Sequence, residues 1–216
     1  MTAASAHVQE PLQDRSRRTL EKIGRAVEEL LATRSFDDIS VGDIVRRARC
    51  SVGSFYARFA SKDDLLPYLY ERYDADLRPR ILARAAPSQW EHLSFRETVA
   101  LVVGHTVDMY LERRHLLRAV ALLARSKPTA VSPATRSARG AVTDIPAIVL
   151  ARFARDIRHD DPLDAARIGF FMVAAIAREK ILFGEAPHAA STALGTDRLK
   201  RELTRMLFAY LTVPDL

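Results

Sequence analysis

Cysteine is nearly absent: Cys50 stands alone in 216 residues, so neither a disulfide framework nor a CxxC motif can be built. That usage fits a reducing compartment, and the expected location is cytoplasmic. Long apolar runs are also missing. No stretch of about 18 uninterrupted apolar residues is present to cross a bilayer, and the first residues, with His7, Glu10 and Asp14, lack the apolar core of a signal peptide. No membrane association is expected. There is no HExxH, no phosphate-binding loop, no dinucleotide fingerprint and no set of Ser, His and Asp or Cys and His that reads as a nucleophile with its base. The chain is therefore expected not to be an enzyme, and to need no cofactor and no metal. What remains is 48% hydrophobic and 28% charged residues, the mixture of an ordinary globular protein. Lysine and arginine outnumber aspartate and glutamate by 33 to 27, a net +6 that suits an anionic partner without naming one.

Apolar residues recur at spacings of three and four almost throughout, and alternating β-branched runs are hard to find, so the fold class is all-α. Leu20, Ile23, Val27, Leu30 and Leu31 form a first helical stripe, broken between Thr33 and Asp38. Ser40 with Asp43 has the spacing of a capping box and opens a short helix through about Ala48. Ser51 caps a third helix of about two turns, which carries Phe55 and Phe59 on one face. Ser61, Asp63 and Asp64 start a fourth, running to about Arg84 and bent near its start by Pro67. Beyond a connection at residues 85–94 the helices become longer and more apolar. They begin at Phe95, at Leu116, at the Ser132–Pro133 and Asp161–Pro162 signatures, and near Asp197.

The informative constellation is residues 40–59. Two short capped helices flank a corner at Arg49, Cys50 and Ser51, with Ile44, Val45, Ala48, Phe55 and Phe59 available to pack between them. This is the spacing of a helix-turn-helix, whose second helix must offer small or polar groups to base edges in the major groove. Here the outward set is Val52, Ser54, Tyr56, Ala57 and Arg58, and Gly53 removes a side chain where backbone would approach phosphate. Ser40, Lys62, Arg15, Arg17 and Arg18 are further phosphate candidates, and Arg49 can add a contact from the turn. The head is not strongly basic: residues 1–66 hold eleven Lys or Arg against ten Asp or Glu, so placement must create its positive face.

The stretch FDDISVGDIVRRARCSVGSFYARFASKDDLL resembles the N-terminal DNA-binding domain of the TetR family of bacterial transcriptional repressors. The resemblance covers about 50 residues, from about Arg17 to Leu66, and joins Ser40, Ala48, Ser51, Gly53, Phe55, Tyr56, Phe59, Ser61, Lys62 and Leu65 in register. It implies a homodimer with an N-terminal reading head and a C-terminal domain that binds a small molecule and lowers affinity for DNA. It assigns Tyr56 and Lys62 to phosphate, Phe55 and Phe59 to the small core, and Ser51, Val52, Gly53 and Ser54 to the groove. The chain departs from the family at the corner, where Ala-Gly and an aliphatic residue are usual and Arg49 and Cys50 stand here, and at Val52 and Arg58. Gly42 departs as well, at a cost of about 1 kcal/mol relative to alanine inside a helix.

The expected organisation is an arm over residues 1–14, a three-helix helix-turn-helix domain over 15–62 and a helical ligand-binding and dimerisation domain over 63–216. The helix from Pro162 to Phe183 has too much apolar girth for one core-facing stripe, so a second face is expected to meet a partner copy. With the last helix it offers Phe170, Ala174, Ala175, Ala177, Leu199, Leu203, Met206 and Tyr210 as the dimer interface. A pocket between helices is expected at Val102, Thr106, Met109, Val149, Phe153 and Phe171. His105, Asp108 and Glu112 could converge on one helix face, and the carboxylate-free stretch from Arg113 to Arg139 is a solvated face, a mouth for an anionic effector or a second contact with nucleic acid. The expected partners are double-stranded DNA bearing a pseudopalindromic operator, a small, lipophilic effector and a second copy of the chain. The function read from this is a sequence-specific DNA-binding regulator, a repressor released by that effector. The alternative is a helical small-molecule-binding protein or enzyme with a vestigial helix-turn-helix, and a third reading is an activator or DNA binder without an effector.

Overall fold

The computed structural model describes residues 14–127, 144–184 and 194–214. Residues 1–13 of the expected arm, the Arg15 side chain, the Ser132–Pro133 helix start, Arg136 and Arg139 lie outside the described residues. Among the described residues the elements are all helical: α1 (Asp14–Leu31), α2 (Val41–Ala48), α3 (Val52–Tyr56), a 3₁₀ turn (Lys62–Asp64), α4 (Leu65–Arg84), a second 3₁₀ turn (Pro87–Gln89), α5 (Phe95–Glu112), α6 (Arg114–Ser126), α7 (Ile145–Ala151), α8 (Pro162–Phe183) and α9 (Thr196–Thr212). None is long and apolar enough to cross a membrane.

The caps foreseen in the sequence are present. Ser40 and Asp43 close a reciprocal box at α2, the Ser51 hydroxyl accepts the Ser54 N–H, and Asp161 accepts the N–H groups of Leu163 and Asp164 with Pro162 at the first position of α8. Each removes orphan donors from a helix start. Ser94 and Glu97 add a box at α5. Pro67 is the third residue of α4, where its missing N–H costs no helical bond, while Pro79 sits inside the helix and removes one.

The described chain forms two compact units. The first takes the residues up to Asp76 together with α6 from His115 onward; the second takes Leu77–Arg114 and the described residues from 144 on. In the first, Ile23 and Val27 of α1, Ile39, Ile44 of α2, Phe55 of α3, Phe59 and the α4 residues Leu65 and Leu66 are essentially removed from water. Gly24 lets α1 approach α4 closely, since a Cβ there would stand 3.0 Å from Leu69 Cδ2. In the second unit α5 packs on α8 and α9, and α7 on α8. Its core runs from Trp90 and Phe95 through Val99 and Val103 to Val173, Leu203, Leu207 and Leu211. Burial of this kind contributes about 25 cal/mol per Å² of apolar surface and is the main support of both units.

Two glycines test the packing of the second unit. A methyl group at Gly169 would lie 2.6 Å from Leu207 Cδ1 in the filled core, whereas one at Gly104 meets nothing within 4 Å. Chemical denaturation should show Gly104→Ala more stable by roughly 0.5–1 kcal/mol, from helix propensity alone. Gly169→Ala should be less stable than the parent by about 1 kcal/mol, because overpacking outweighs the same propensity gain.

Candidate nucleic-acid interface

A helix as short as α3 is marginal by itself, so its buried side must hold it. The Phe55 and Phe59 rings are buried, with centroids 5.4 Å apart, and Phe59 meets Tyr68 of α4 edge-on at 5.5 Å. Helical bonding continues past the regular turn, with the Phe59 N–H donating to the Phe55 carbonyl at 3.1 Å. The opposite side is bare. Val52 is 50% exposed and Tyr56 54%, and Ser51, Gly53 and Ala57 are exposed beside them, with Ser54 half-buried. Tyr56 is steadied by an edge contact to Phe55 at 5.3 Å. The exposed apolar Val52 and aromatic Tyr56 thus stand on a rigid base of buried rings.

The phosphate candidates divide. Arg17 and Arg18 are exposed on the first turns of α1. The Ser40 hydroxyl is engaged in its cap, donating to Asp43 Oδ2 at 2.8 Å while accepting the Asp43 N–H at 3.0 Å. Those bonds, the Ser40 backbone N–H and the Arg34 guanidinium hold the Asp43 carboxyl well below the usual carboxylate range. Half-buried Arg58 donates from Nη1 to the Ser54 carbonyl at 2.5 Å. Lys62 is placed differently from the expectation. Its Nζ donates to the carbonyls of Phe36 at 2.9 Å, Ile39 at 3.0 Å and Asp37 at 3.3 Å, and lies 4.7 Å from the Phe36 ring centroid. An ammonium has three donors, and all three go to the loop before α2. Lys62 is a brace for the head rather than a hand on phosphate.

Arg49 ends α2 with φ 52° and ψ 51°, the one positive φ at a non-glycine residue among the described residues. Its N–H reaches the carbonyls of Arg46 and Val45, as a glycine C-cap would, at a conformational cost of about 1–2 kcal/mol for an L-residue. Next to it, burial pushes the Cys50 thiol up, which keeps it protonated and poorly nucleophilic.

In the second unit the expected pocket residues do not come together as a set. Val102, Thr106 and Val149 are buried core, Met109 and Phe153 half-buried, and Phe153 stacks on Phe95 at 5.3 Å. Phe171 is 68% exposed and points away from that core, which corrects its assignment to a pocket wall. The α5 face through Thr98, Val102 and Thr106 does hold an unsatisfied group: Thr98 is fully buried and its hydroxyl has no hydrogen-bond partner among the described residues. His105, Asp108 and Glu112 go separate ways. Glu112 takes both oxygens to Arg80 at 2.9 Å, Asp108 accepts from Lys200 at 2.6 Å, and His105 lies edge-on to Trp90 at 6.5 Å, where burial lowers its pKa. No group of three metal-capable side chains occurs among the described residues.

The expected dimer residues also divide. Ala177, Leu199 and Leu203 are buried within the protomer and so cannot face a partner, which corrects those three; Phe170, Ala174, Ala175, Met206 and Tyr210 are half-buried. The outward stripe of α8 is instead Ile168, Phe171 and Ile176, 45%, 68% and 41% exposed, with Ala175 beside them. The long apolar pattern of α8 shows two faces in the sequence; which residues lie on which depends on the packing of α5 and α9 and could not be read from it.

The first unit thus contains a three-helix head, α1 to α3, with an exposed second helix of a helix-turn-helix. Residues 23–69 match the model for bacterial regulatory proteins of the tetR family. This N-terminal domain belongs to the TetR family. An uncharacterized HTH-type transcriptional regulator, YwcC, of Bacillus subtilis (strain 168) is 48% identical over 54 residues, a match that spans 25% of this chain and 24% of that protein. Whole-chain similarity lies in the fold. A putative TetR-family transcriptional regulator from Mesorhizobium loti MAFF303099 superimposes with a TM-score of 0.66 at 17% identity, over 92% of this chain and 98% of that one. A regulatory protein of the tetR family from Rhodococcus RHA1 gives 0.64 at 14%, over 91% and 98%. A structure described as the molecular basis for control of antibiotic production by a bacterial hormone gives 0.62 at 22%, over 91% and 98%.

Lys62→Met should lower the stability of the head by roughly 2 kcal/mol, since three carbonyls lose a charged donor. The salt dependence of duplex binding should not move. A fall of about 0.9 in the slope of log K against log salt would restore a phosphate contact to Lys62.

Proposed function

We propose that the chain is a sequence-specific DNA-binding transcriptional regulator, working as a homodimer and released from its operator by a small, lipophilic effector. The observation that carries this reading is the exposed face of α3, with Val52 and Tyr56 standing on buried Phe55 and Phe59 inside a domain of the TetR family. Ser51, Val52, Gly53 and Ser54 approach base edges, Tyr56, Arg17, Arg18 and Arg49 contact phosphate, and Arg58 adds a contact beyond its bond to Ser54. Ser40 acts mainly by fixing α2. Two heads related by a dyad would reach successive major grooves about 34 Å apart, which calls for a pseudopalindromic operator.

Dimerisation is supported by the α8 stripe of Ile168, Phe171 and Ile176, which no element of the described chain covers. Exposed aromatic and aliphatic side chains at helical spacing favour a second copy of the same helix across a two-fold axis. The effector reading is supported by the buried Thr98 hydroxyl, unpartnered among the described residues, on the α5 face that also carries Val102 and Thr106, a polar point in apolar surroundings where a ligand can be oriented. Repression released by a ligand needs only that the ligand prefer the arrangement unable to bind DNA. A coupling of about 1–3 kcal/mol then gives a switch of roughly 5- to 150-fold, and DNA weakens the ligand by the same factor. The expected compartment is the cytoplasm, where DNA and a diffusing effector meet.

Fluorescence anisotropy against the intergenic DNA upstream of the chain's own gene, with scrambled competitor, should show competitor-resistant binding by the parent protein. Phe171→Glu should run at monomer mass in light scattering and lose that binding. An unchanged dimer mass would reject the α8 interface, and binding that competitor removes entirely would reject a specific operator in that region.

A further inference from the structure

Away from the exposed face of α3, the first unit has an open groove of about 950 Å³ between α1 and α2. Six cationic side chains line it: Lys22, Arg25, Arg34, Arg46, Arg47 and Arg49. Two carboxylates share it. Asp43 pairs with Arg34 at 3.1 Å and with Arg46, and Glu29 pairs with Arg47 at 2.5 Å. Neither carboxylate reaches Lys22, Arg25 or Arg49, and no ion pair or hydrogen bond involves these three side chains among the described residues. A concave surface with cations of one sign left over concentrates positive potential, and it draws in an anion that can replace the missing partners.

We propose that this groove holds the phosphate backbone of duplex DNA flanking the segment read by α3, which makes it a second contact strip of the head. The proposal rests on the DNA-binding reading above. Three observations favour a strand of phosphates over a single anion or an acidic protein segment. The groove edge along α1, from Lys22 through Arg25 to Arg47 where it is held by Glu29, spans roughly 10 Å, a length over which one strand of a duplex presents about three phosphates. Arg49 lines the groove and also ends the turn before the Ser51 cap of α3, so the strip is continuous with the reading face. And Arg49 holds a left-handed backbone that glycine adopts without penalty, so its side chain is kept at a position where the fold alone gains from its loss.

The test compares three proteins on two duplexes, the intergenic DNA upstream of the gene and a scrambled duplex of equal length, over a range of salt. The proteins are the parent, Lys22→Gln with Arg25→Gln, and a control of equal charge, Arg178→Gln with Arg201→Gln, whose positions are exposed on α8 and α9. The groove variant should lower the slope of log K against log salt by about 1.8 on both duplexes, about 0.9 for each phosphate released, without changing the ratio between them. Arg49→Gly should lower it by about 0.9 while the protein melts no lower than the parent. A slope equal to that of the parent or of the control overturns the proposal. So does displacement of polyglutamate, at matched charge, as readily as DNA, which would mark the groove as a site for an acidic protein. A parent protein that does not distinguish the two duplexes overturns the specific-regulator reading instead, and the groove is still judged by its slope on the scrambled duplex. A parent that binds neither overturns both.

Discussion

A five-residue helix has almost no stability of its own, so the exposed face of α3 exists only because Phe55 and Phe59 are locked beneath it. Phe55 packs on Phe59, Phe59 on Tyr68 of α4, and the Arg72 guanidinium lies 5.8 Å from the Tyr68 ring centroid. This column of rings turns a short segment into a platform. Without it Val52 and Tyr56 would be two solvent-exposed residues on a loop, and no arrangement of the remaining helices could aim them at a groove.

The same logic runs through the rest of the head: residues that look suited to DNA are first used to build it. Ser40 closes a capping box, Lys62 ties three carbonyls of the loop before α2, and Arg58 folds back on its own helix. Rigidity comes first because a reading face must hold its side chains to within fractions of an ångström for base edges to be told apart. The cations left over for phosphate are then those the fold does not consume, Lys22, Arg25 and Arg49 along one groove and Arg18 near the start of α1.

Much of this was legible in the sequence where the signal is local. Ser40 with Asp43, Ser51 with Ser54 and Asp161 with Pro162 announce helix starts through spacing alone, because a cap involves neighbours three residues apart. The buried and exposed sides of α3 follow from Phe55 and Phe59 one turn apart. What escaped depends on distant partners. Lys62 meets residues 36–39, more than twenty positions earlier, and nothing in its immediate neighbours marks it as a brace. Ala177 differs from Phe171 only in which side of α8 is covered by α5 and α9, and Leu199 and Leu203 are buried because their side of α9 packs on α5 and α8. The basic groove had a faint signal in Lys22 with Arg25 one turn apart and Arg46, Arg47 and Arg49 in a run, but only the packing of α1 on α2 brings the two sets to one surface.

In the proposed regulator the exposed residues of α3 read sequence. Selection of bound duplexes from a random pool tests it most directly, run side by side with the parent and with Val52→Lys, an exposed position whose change leaves the ring column intact. The parent should enrich a sequence with two inverted half-sites one helical turn or a multiple apart, and the variant should shift the enriched base at one position in each half-site while keeping their spacing. Enrichment of the same bases by both proteins, or of no sequence by either, would contradict it.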